Sequence, residues 1–299
     1  FHRLAINGVD DKSHQPIVID NVAIICNGEI YNYKALYKLC NEDNDVHPTT
    51  NSDCEIIIHF YLKYGMEQTL QMLDGVFSFV LIDYRLTNEN TKLYVARDPY
   101  GVRPLYFIKP DSKKSDEHQI YAFGSELKTL YGIWNNLDKE YKTMRSMKKL
   151  YNKPLTDYCC RYKIHQFRPG TLMTFDLPFT AITHWTHKST ITYHNFSFSQ
   201  DIFKPLKSVD KDHYYNKINE IFKSAVYKRC STTDRPIACL LSGGLDSSLV
   251  AALVNEYHKE NNLGKLETYS IGLDGSEDLK YSQIVADYLG TKHTQIVVT

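Results

Sequence analysis

Short apolar runs separated by polar turns fill the first part of the chain, and this pattern predicts a sheet-rich domain. Strands are expected where β-branched and aromatic residues cluster between Gly, Pro, Asn and Asp. They are predicted at Ile17–Ile19, Val22–Cys26, Val76–Ile82, Leu93–Ala96, Pro104–Ile108, Gln119–Phe123 and Leu172–Phe175. The dipeptide Asn27-Gly28 directly after the second run is a turn signal.

A few short helices are predicted between these strands. They are expected at 33–40, 53–64, 66–73 and 126–130. Leu36 and Leu39 would form the buried face of the first helix. Ser52 is the predicted N-cap of the second helix, Glu55 stands at capping-box spacing, and Gly65 ends it. Many strands with few helices favour an α+β domain built in layers.

The last part of the chain alternates between strand and helix patterns. A helix at Tyr214–Lys228 is followed by strands at Ile237–Leu241, Glu267–Ile271 and His293–Val298, with helices after Gly244 and at Ser276–Leu289. The apolar faces of the first two helices are expected to contain Ile218, Ile221, Phe222 and Ala225, and then Leu249, Val250, Leu253 and Val254. This order predicts a parallel sheet made of βαβ units.

The chain length predicts two domains, because single cores rarely grow beyond about 250 residues. The polar, aperiodic segment 189–210 is expected to be the linker, with domains at 1–188 and 211–299 of the 299 residues. The chain starts at Phe1 rather than Met and stops after a predicted strand, so both ends are expected to be cut.

Composition narrows the class of protein. Lys+Arg and Asp+Glu both number 35, so the formal net charge is zero and neither nucleic acid nor a membrane surface is indicated as a partner. No apolar run approaches the roughly 20 residues of a membrane helix. The seven cysteines are odd in number and contain no CxxC pair. They favour reduced thiols in the cytoplasm over a disulfide framework or a zinc site.

The glycine turn after Ile237–Leu241 carries candidate phosphate-binding chemistry. Ser242, Gly243 and Gly244 join this strand to a helix that opens with Leu245, Asp246 and Ser247. Adjacent glycines let the backbone approach an anion, and the helix N-terminus attracts it. No Lys follows the glycines, so the loop is not a Walker A loop. A carboxylate beside phosphates implies a shared cation, so Asp246 predicts Mg²⁺ bound together with the phosphates.

Several motifs make the chain resemble known enzyme families. The segment SGGLDSS, 242–248, resembles the pyrophosphate loop of the ATP pyrophosphatases. The order HRLAI, NGEIYN, SDCE, GVFSFVLID, RDPYGVRPLYF and SELKTL resembles the class II glutamine amidotransferase domains. Together the two halves resemble the glutamine-dependent asparagine synthetases. The fold this resemblance implies is an α+β N-terminal-nucleophile hydrolase sandwich with αββα layers, followed by a truncated α/β parallel-sheet domain like the adenine-nucleotide alpha hydrolases.

The resemblance assigns residues to a glutamine site. Those matched to glutamine binding are Arg3, Leu4, Ala5, Ile6, Asn7, Asn27, Gly28, Glu29 and Asp53. Arg3 would pair with the α-carboxylate, Glu29 and Asp53 would hold the α-amine, and Asn27 with Gly28 would form the oxyanion hole. The nucleophilic cysteine of this family is expected before Phe1. Cys26 is not assigned to that role, because a core thiol without a base is the simpler interpretation.

The resemblance also assigns an ATP site and a reaction. Leu240 and Ile271 would frame the nucleotide, while Ser242, Gly243, Gly244, Asp246 and Ser247 would hold pyrophosphate and Mg²⁺. The implied enzyme is an ATP-dependent carbon–nitrogen ligase. It would convert aspartate to asparagine through β-aspartyl-AMP, with ammonia channelled from glutamine. A homodimer is left open, and residues 134–168, which are basic around 139–153, are expected to be a surface insertion.

Two alternatives stay open on the sequence. One is another amidotransferase-linked ATP pyrophosphatase, such as a β-lactam synthetase, although such an enzyme has no use for a glutamine pocket. The other is an inactive pseudoenzyme that has lost its nucleophile. The full translation would discriminate these readings, through an upstream Met-Cys and a downstream SGEGxDE loop.

Overall fold

The structure is a computed structural model that describes residues 5–41, 46–85, 90–111, 120–151, 161–178, 184–195 and 211–298. Its packing divides the chain into two compact units, Phe1–Asp201 and Ile202–Thr299. Within the described residues, none of the helices combines the length and the apolar character needed to cross a lipid bilayer.

The first unit contains two antiparallel sheets with helices on their outer faces. Its strands are β1 (Ile17–Ile19), β2 (Val22–Ile30), β3 (Gly75–Asp83), β4 (Asn90–Arg97), β5 (Tyr106–Pro110), β6 (Ala122–Gly124), β7 (Tyr162–Gln166), β8 (Thr171–Pro178) and β9 (Thr186–Thr192). Its helices are α1 (Tyr33–Asn41), α2 (Ile56–Tyr64), α3 (Met66–Met72) and α4 (Leu127–Tyr151). One sheet has the order β1-β2-β3-β4-β8-β9, and the other has the order β6-β5-β7.

Three apolar clusters show how these elements form layers. Leu36 and Ile57 from the helices α1 and α2 pack with Phe77 on one face of the six-stranded sheet. Phe107 and Phe175 belong to a cluster between the two sheets. Ile108, Leu130 and Tyr162 join the three-stranded sheet to α4. The resulting order of helix, sheet, sheet and helix agrees with the expected αββα arrangement.

Tertiary pairing corrects several predictions in this unit. The turn predicted at Asn27-Gly28 is wrong, because β2 pairs with β3 along its whole length and Gly28 lies opposite Phe77. The helix expected to end at Leu130 continues as α4 to Tyr151. The expected surface insertion therefore contains the end of α4, and it also contains β7, which pairs with β5. Residues 152–160 lie outside the described residues.

The start of the linker and the buried face of α1 also differ from expectation. The first residues of the expected linker, 189–192, belong to β9 and pair with β8, whereas residues 196–210 lie outside the described residues. In α1, Leu39 is exposed, and Tyr37 and Cys40 are buried beside Leu36. The spacing of the buried residues is still helical. The helix is rotated from the expected face, so that the side chain of Tyr37 reaches the core and that of Leu39 does not.

The second unit is a three-stranded parallel sheet with helices packed against it. It contains α5 (Lys211–Ser231), β10 (Ala238–Leu240), α6 (Leu245–Glu260), β11 (Glu267–Leu273), α7 (Glu277–Leu289) and β12 (Lys292–Val298). The strand order β10-β11-β12, with parallel pairing throughout, confirms the predicted βαβ arrangement.

Both predicted helix faces in this unit shift when the helices pack. In α6, Leu249 and Val250 are exposed, and the buried stripe contains Asn255 and His258 together with Ala251 and Val254. The side-chain Nδ2 of Asn255 donates to the Leu289 carbonyl at 2.9 Å, which satisfies this buried polar group. In α5, Ile218 and Ile221 are exposed, while Val226 and Cys230 are buried.

Candidate active site

A cavity of about 750 Å³ lies beside β2 in the first unit. Sites for small molecules commonly enclose roughly 300–1,000 Å³. The wall of this cavity includes Ile6, Asn7, Asn27, Gly28 and Asp53. These five residues come from three separate segments, and the resemblance had assigned all of them to glutamine. Folding therefore brings most of the predicted glutamine residues to one place.

The other predicted residues of this site divide into three cases. Glu29 follows Gly28 on β2, and its side chain contacts Arg103, which is itself part of the cavity wall. Ala5 is described but is not part of the wall. Arg3 and Leu4 lie outside the described residues.

Asn27 and Glu29 project from the same face of β2, because side chains two residues apart share a face. This face meets the strand–helix junction before α4 and the loop after β4. The side-chain Nδ2 of Asn27 donates to Ser125 Oγ at 3.4 Å. Arg103 Nη2 donates to Glu29 Oε1 at 3.0 Å. The polar side chains of β2 are thus positioned by elements that are distant in sequence.

The backbone of Gly28 is positioned to donate into this cavity. The N–H of Cys26 donates to Gln15 Oε1 at 2.6 Å, and the N–H of Ile30 donates to Asp53 Oδ2 at 2.6 Å. Alternate residues of a strand direct their N–H groups to the same edge, so the Gly28 N–H lies between these two bonds. Together with the Asn27 amide it forms the type of donor pair that stabilises a tetrahedral oxyanion.

Gly28 also has a packing reason to be glycine. A Cβ atom at this position would lie 2.4 Å from the Val76 carbonyl oxygen and 2.7 Å from Phe77 Cα. Both atoms belong to the backbone of the paired strand and cannot move away independently. The close approach of β3 therefore excludes every side chain at this point.

A short 3₁₀ turn, Asp53–Glu55, fixes the position of Asp53. Ser52 caps this turn by accepting from the Cys54 N–H at 3.4 Å, as predicted. Glu55 does not complete a capping box, because its carboxylate instead accepts from the backbone N–H groups of Thr49 and Thr50 at 2.7 and 2.6 Å. The loop before Asp53 is therefore held by a buried carboxylate.

The Glu55 carboxylate also lies 3.0 Å from His59 Nε2. Burial alone would raise the pKa of this carboxyl group, but hydrogen bonds from His59, Thr49 and Thr50 outweigh burial and hold the pKa below its ordinary value. The charged form of Glu55 is consequently part of the folded structure.

The loop after β4 forms a second wall of the cavity, and a pair of buried charged residues shapes it. Arg97 donates to the carbonyl groups of Arg103, Phe167 and Gly101 at 2.7, 2.5 and 2.7 Å. The Asp98 carboxylate accepts from three backbone N–H groups of the same loop, all at 3.0 Å. The segment RDPYGVRPLYF was among the motifs that resemble the family, but the sequence predicted no role for Arg103.

Ser125 and Cys54 are two further wall residues that sequence reasoning missed as parts of the site. Ser125 directly precedes the predicted helix 126–130, and it accepts the hydrogen bond from Asn27. Cys54 is buried, with its thiol 3.8 Å from the Gly28 carbonyl and 3.9 Å from Asp53 Oδ1. Cys26 is also buried on the wall. The only signal in the sequence was that Ser125 and Cys54 lie within quoted family motifs, whereas Cys26 directly precedes one.

The second candidate site is the glycine loop of the second unit. The hydroxyl groups of Ser242 and Ser247 lie 3.0 Å apart, and Ser247 Oγ also donates to the Gly244 carbonyl at 3.2 Å. Gly243 has a positive φ of 80°. A Cβ there would lie 2.5 Å from backbone and side-chain atoms of Tyr281 on α7. The loop is thus preformed by serine hydroxyls and by the close packing of a neighbouring helix.

Gly244 differs from Gly243 in its surroundings. It precedes α6 as its N-cap, and a Cβ there would meet only Ser242 Oγ at 3.5 Å. The open space beside it and the first-turn N–H groups of α6 are suited to an anion. Asp246 is exposed in the same first turn.

The predicted nucleotide-framing residues lie near this loop. Leu240 is the last residue of β10, directly before the loop, and its register partner is Tyr269 on β11. Ile271 is two residues further along β11, so its side chain shares a face with that of Tyr269. Leu240 and Ile271 are both exposed. The carboxyl ends of parallel strands are the usual ligand-binding edge of an open α/β sheet.

The described residues contain no group of three or more His, Cys, Asp or Glu side chains that could hold a metal ion by themselves. A single exposed carboxylate at Asp246 fits Mg²⁺ only as a partner of phosphate oxygens, which is how proteins usually bind this ion. The donor set thus suits a cation that arrives with a nucleotide.

Comparison with known proteins supports both halves of this description. Residues 1–186 match the glutamine amidotransferase domain family, and residues 217–299 match the asparagine synthase family. Asparagine synthetase (glutamine-hydrolyzing) of Cricetulus griseus is 35% identical, over 99% of this chain and 48% of its own length. The human enzyme of that name is 34% identical with the same coverage. A probable asparagine synthetase of Acanthamoeba polyphaga mimivirus is 32% identical, over 99% and 47%.

The chain spans about half the length of the curated relatives it matches. A solved glutamine phosphoribosylpyrophosphate amidotransferase from B. subtilis aligns with 94% of this chain and 48% of its own chain at 16% identity. Its TM-score of 0.36 is too low to carry weight. The family match covers more than half of the chain and includes the whole cavity around β2. The chain therefore belongs to the glutamine amidotransferase domain family, and its second unit matches the asparagine synthase family.

Proposed function

We propose that this chain provides the glutamine site and the pyrophosphate loop of a glutamine-hydrolysing asparagine synthetase. The observation that carries the proposal is the cavity beside β2, where Asn27, Gly28 and Asp53 meet. In one chain, this cavity is combined with a glycine loop of the ATP-pyrophosphatase type. The αββα layers of the first unit support an N-terminal-nucleophile fold, and the parallel sheet of the second supports an adenine-nucleotide alpha hydrolase fold.

In the glutamine half-reaction, a cysteine thiolate attacks the side-chain amide carbon. The negative charge that develops on the amide oxygen would be stabilised by the Asn27 amide and the Gly28 N–H. Glu29 and Asp53 would hold the α-ammonium, while Arg3 would pair with the α-carboxylate. Collapse of this adduct breaks the carbon–nitrogen bond and releases ammonia, which leaves a γ-glutamyl thioester. Water then hydrolyses the thioester to glutamate and restores the thiol.

In the synthetase half-reaction, the β-carboxylate of aspartate attacks the α-phosphate of ATP and pyrophosphate leaves. Ser242, the two glycines and Ser247 would hold the pyrophosphate at the N-terminus of α6. Asp246 would share Mg²⁺ with the phosphates, and this cation would offset the charge that builds up on the leaving group. Ammonia then displaces AMP from the β-aspartyl-AMP, which gives asparagine.

Reciprocal variants test this division between the two sites. In the full-length protein, Asp53→Asn should weaken glutamine hydrolysis at least about ten-fold, because an amide cannot pair with the ammonium group. Its carbonyl can still accept from the Ile30 N–H, so the fold should survive. Asp246→Asn should instead suppress aspartate-dependent ATP–pyrophosphate exchange and spare glutamine hydrolysis.

Each variant is the control for the other. Equal loss of both activities in either variant would refute the assignment of the two sites. Exchange that responds to a different amino acid and not to aspartate would favour another synthetase of the same architecture.

A further inference from the structure

Arg103 is a cavity residue without a role in the reaction as described so far. Its guanidinium donates from Nη2 to Glu29 Oε1 at 3.0 Å. The side chain of Glu29 retains 14% of its exposure, and that of Arg103 retains 29%. The ion pair is therefore largely shielded from solvent, and such a shielded pair is stronger than one on an open surface.

The backbone of residue 103 is held on both sides by buried charges. Its N–H donates to Asp98 Oδ2 at 3.0 Å, and its carbonyl accepts from Arg97 Nε at 2.7 Å. Asp98 and Arg97 are both buried. A turn fixed in this way sets the direction of the Arg103 side chain, as is needed when a functional group must be preorganised.

Arg103 brings a positive charge to the acidic part of the site. Glu29 is a residue of β2. The carboxylate of the wall residue Asp53 accepts from the N–H of Ile30, which is the next residue of the same strand. A charge-assisted hydrogen bond from a guanidinium fixes the orientation of the carboxylate that accepts it. The Nε of Arg103 is buried and has no hydrogen-bond partner among the described residues, so the guanidinium keeps donor capacity beyond its bond to Glu29.

We propose that Arg103 is a positioning residue of the glutamine site, which holds the Glu29 carboxylate in the orientation that meets the substrate α-ammonium. This inference rests on the proposed function. It assigns Arg103 a part in substrate selection, because a carboxylate held in a fixed orientation favours ligands that carry an α-amine. Arg103 acts on the ligand through Glu29 and does not take part in bond breaking.

A ligand without the α-amine separates this role from a general structural one. Glutaramate (5-amino-5-oxopentanoate) has the side-chain amide and the carboxylate of glutamine but no ammonium group. Loss of Arg103 should therefore weaken L-glutamine binding much more than glutaramate binding. A merely structural residue would affect both ligands equally.

The experiment compares Arg103→Met, Arg103→Lys and Glu29→Gln with the wild-type chain. Binding of each ligand is measured by calorimetry or by NMR titration. Arg103→Met and Glu29→Gln should each weaken L-glutamine at least about ten-fold, which corresponds to one charge-assisted hydrogen bond. Glutaramate should change by less than about three-fold. Arg103→Lys keeps the charge and should recover most of the affinity for L-glutamine.

Four outcomes would decide against the inference or its premise. An equal loss of both ligands in Arg103→Met, or no loss of either, would overturn the role of Arg103. Further weakening when Arg103→Met is added to Glu29→Gln would show that Arg103 does not act through Glu29. If the wild-type chain bound no L-glutamine at all, the proposed function itself would fail. The backbone hydrogen bonds of residue 103 do not involve its side chain, so the loop should stay folded in Arg103→Met. If the loop did unfold in that variant, Glu29→Gln would still test the same ion pair.

Discussion

Gly243 and Gly244 are adjacent in the sequence, but the structure predicts opposite consequences when alanine replaces each of them. Gly243 has a φ of 80°, and an added Cβ would lie 2.5 Å from Tyr281 atoms and 2.6 Å from the Ser282 backbone nitrogen. Gly244 has a φ of −72° and a ψ of 163°, which any residue adopts, and its nearest neighbour would be 3.5 Å away. Gly243→Ala should therefore destabilise the second unit, and Gly244→Ala should not.

The magnitude follows from two separate costs at Gly243. A left-handed backbone costs a residue with a Cβ about 1–2 kcal/mol. Overpacking against a backbone that cannot retreat costs about 1–3 kcal/mol more. The free energy of unfolding of the second unit should thus fall by about 2–5 kcal/mol in Gly243→Ala. For Gly244→Ala the change should stay within about 1 kcal/mol, since the backbone conformation is allowed.

Hydrogen exchange resolved by mass spectrometry is the appropriate assay, because it reports on each unit separately. Both tryptophans, Trp134 and Trp185, lie in the first unit, so fluorescence follows that unit and serves as an internal control. Peptides that cover β10 and β11 should exchange at least about 30-fold faster in Gly243→Ala, the factor that corresponds to about 2 kcal/mol. Exchange in the first unit should be unchanged.

Binding of Mg-ATP should distinguish the two variants in the opposite way, since here Gly244→Ala is the variant expected to be impaired. In Gly244→Ala the methyl group enters the open space where an anion would approach the backbone, so binding of Mg-ATP should weaken although the fold persists. Wild-type protection of β10 and β11 in Gly243→Ala would refute the packing argument. Wild-type nucleotide affinity in Gly244→Ala would refute the placement of the anion.

Three further predictions concern the first unit. Arg97→Lys can keep one of the three carbonyl contacts of Arg97, so unfolding in urea followed by tryptophan fluorescence should show a loss of about 2–4 kcal/mol; an unchanged midpoint would contradict this. The depressed pKa of Glu55 stabilises the fold above its unfolded value of 4.5, and this contribution is lost as pH falls through the lower folded pKa. Glu55→Gln should therefore lower stability at about pH 7 but converge with the wild type in acid, whereas a constant difference across that range would count against it. Ser125→Ala removes the acceptor for the Asn27 amide and should lower kcat for glutamine hydrolysis about five-fold with KM unchanged, with recovery in Ser125→Thr; a change confined to KM would contradict the role.

The local patterns of the chain predicted most of its elements. The parallel sheet of the second unit was predictable because a strand, a glycine turn and a helix recur there in a fixed order. The turn at Ser242–Ser247 was predictable for the same reason, whereas the close packing of Gly243 against Tyr281 on α7 was not. Gly65 as the end of a helix is a similar local case, because its positive φ of 79° suits glycine alone among the neighbouring residues.

Other features depend on contacts between distant segments, which no local pattern contains. Asn27-Gly28 has the composition of a turn, but pairing with β3 draws it into the middle of a strand. The buried faces of α1, α5 and α6 depend on which side of each helix meets its neighbours. Helical spacing alone does not set these buried faces, because several rotations of a helix place some apolar residues inward.

The sequence by itself determined which residue types were available for the two sites and the order in which they follow one another. Only the tertiary structure decided that Glu29 meets Arg103, 74 positions away, and that Asn27 meets Ser125, 98 positions away. The physical reason is that an ion pair or a hydrogen bond requires a separation of about 3 Å, and sequence distance carries no information about that separation until the sheets have formed.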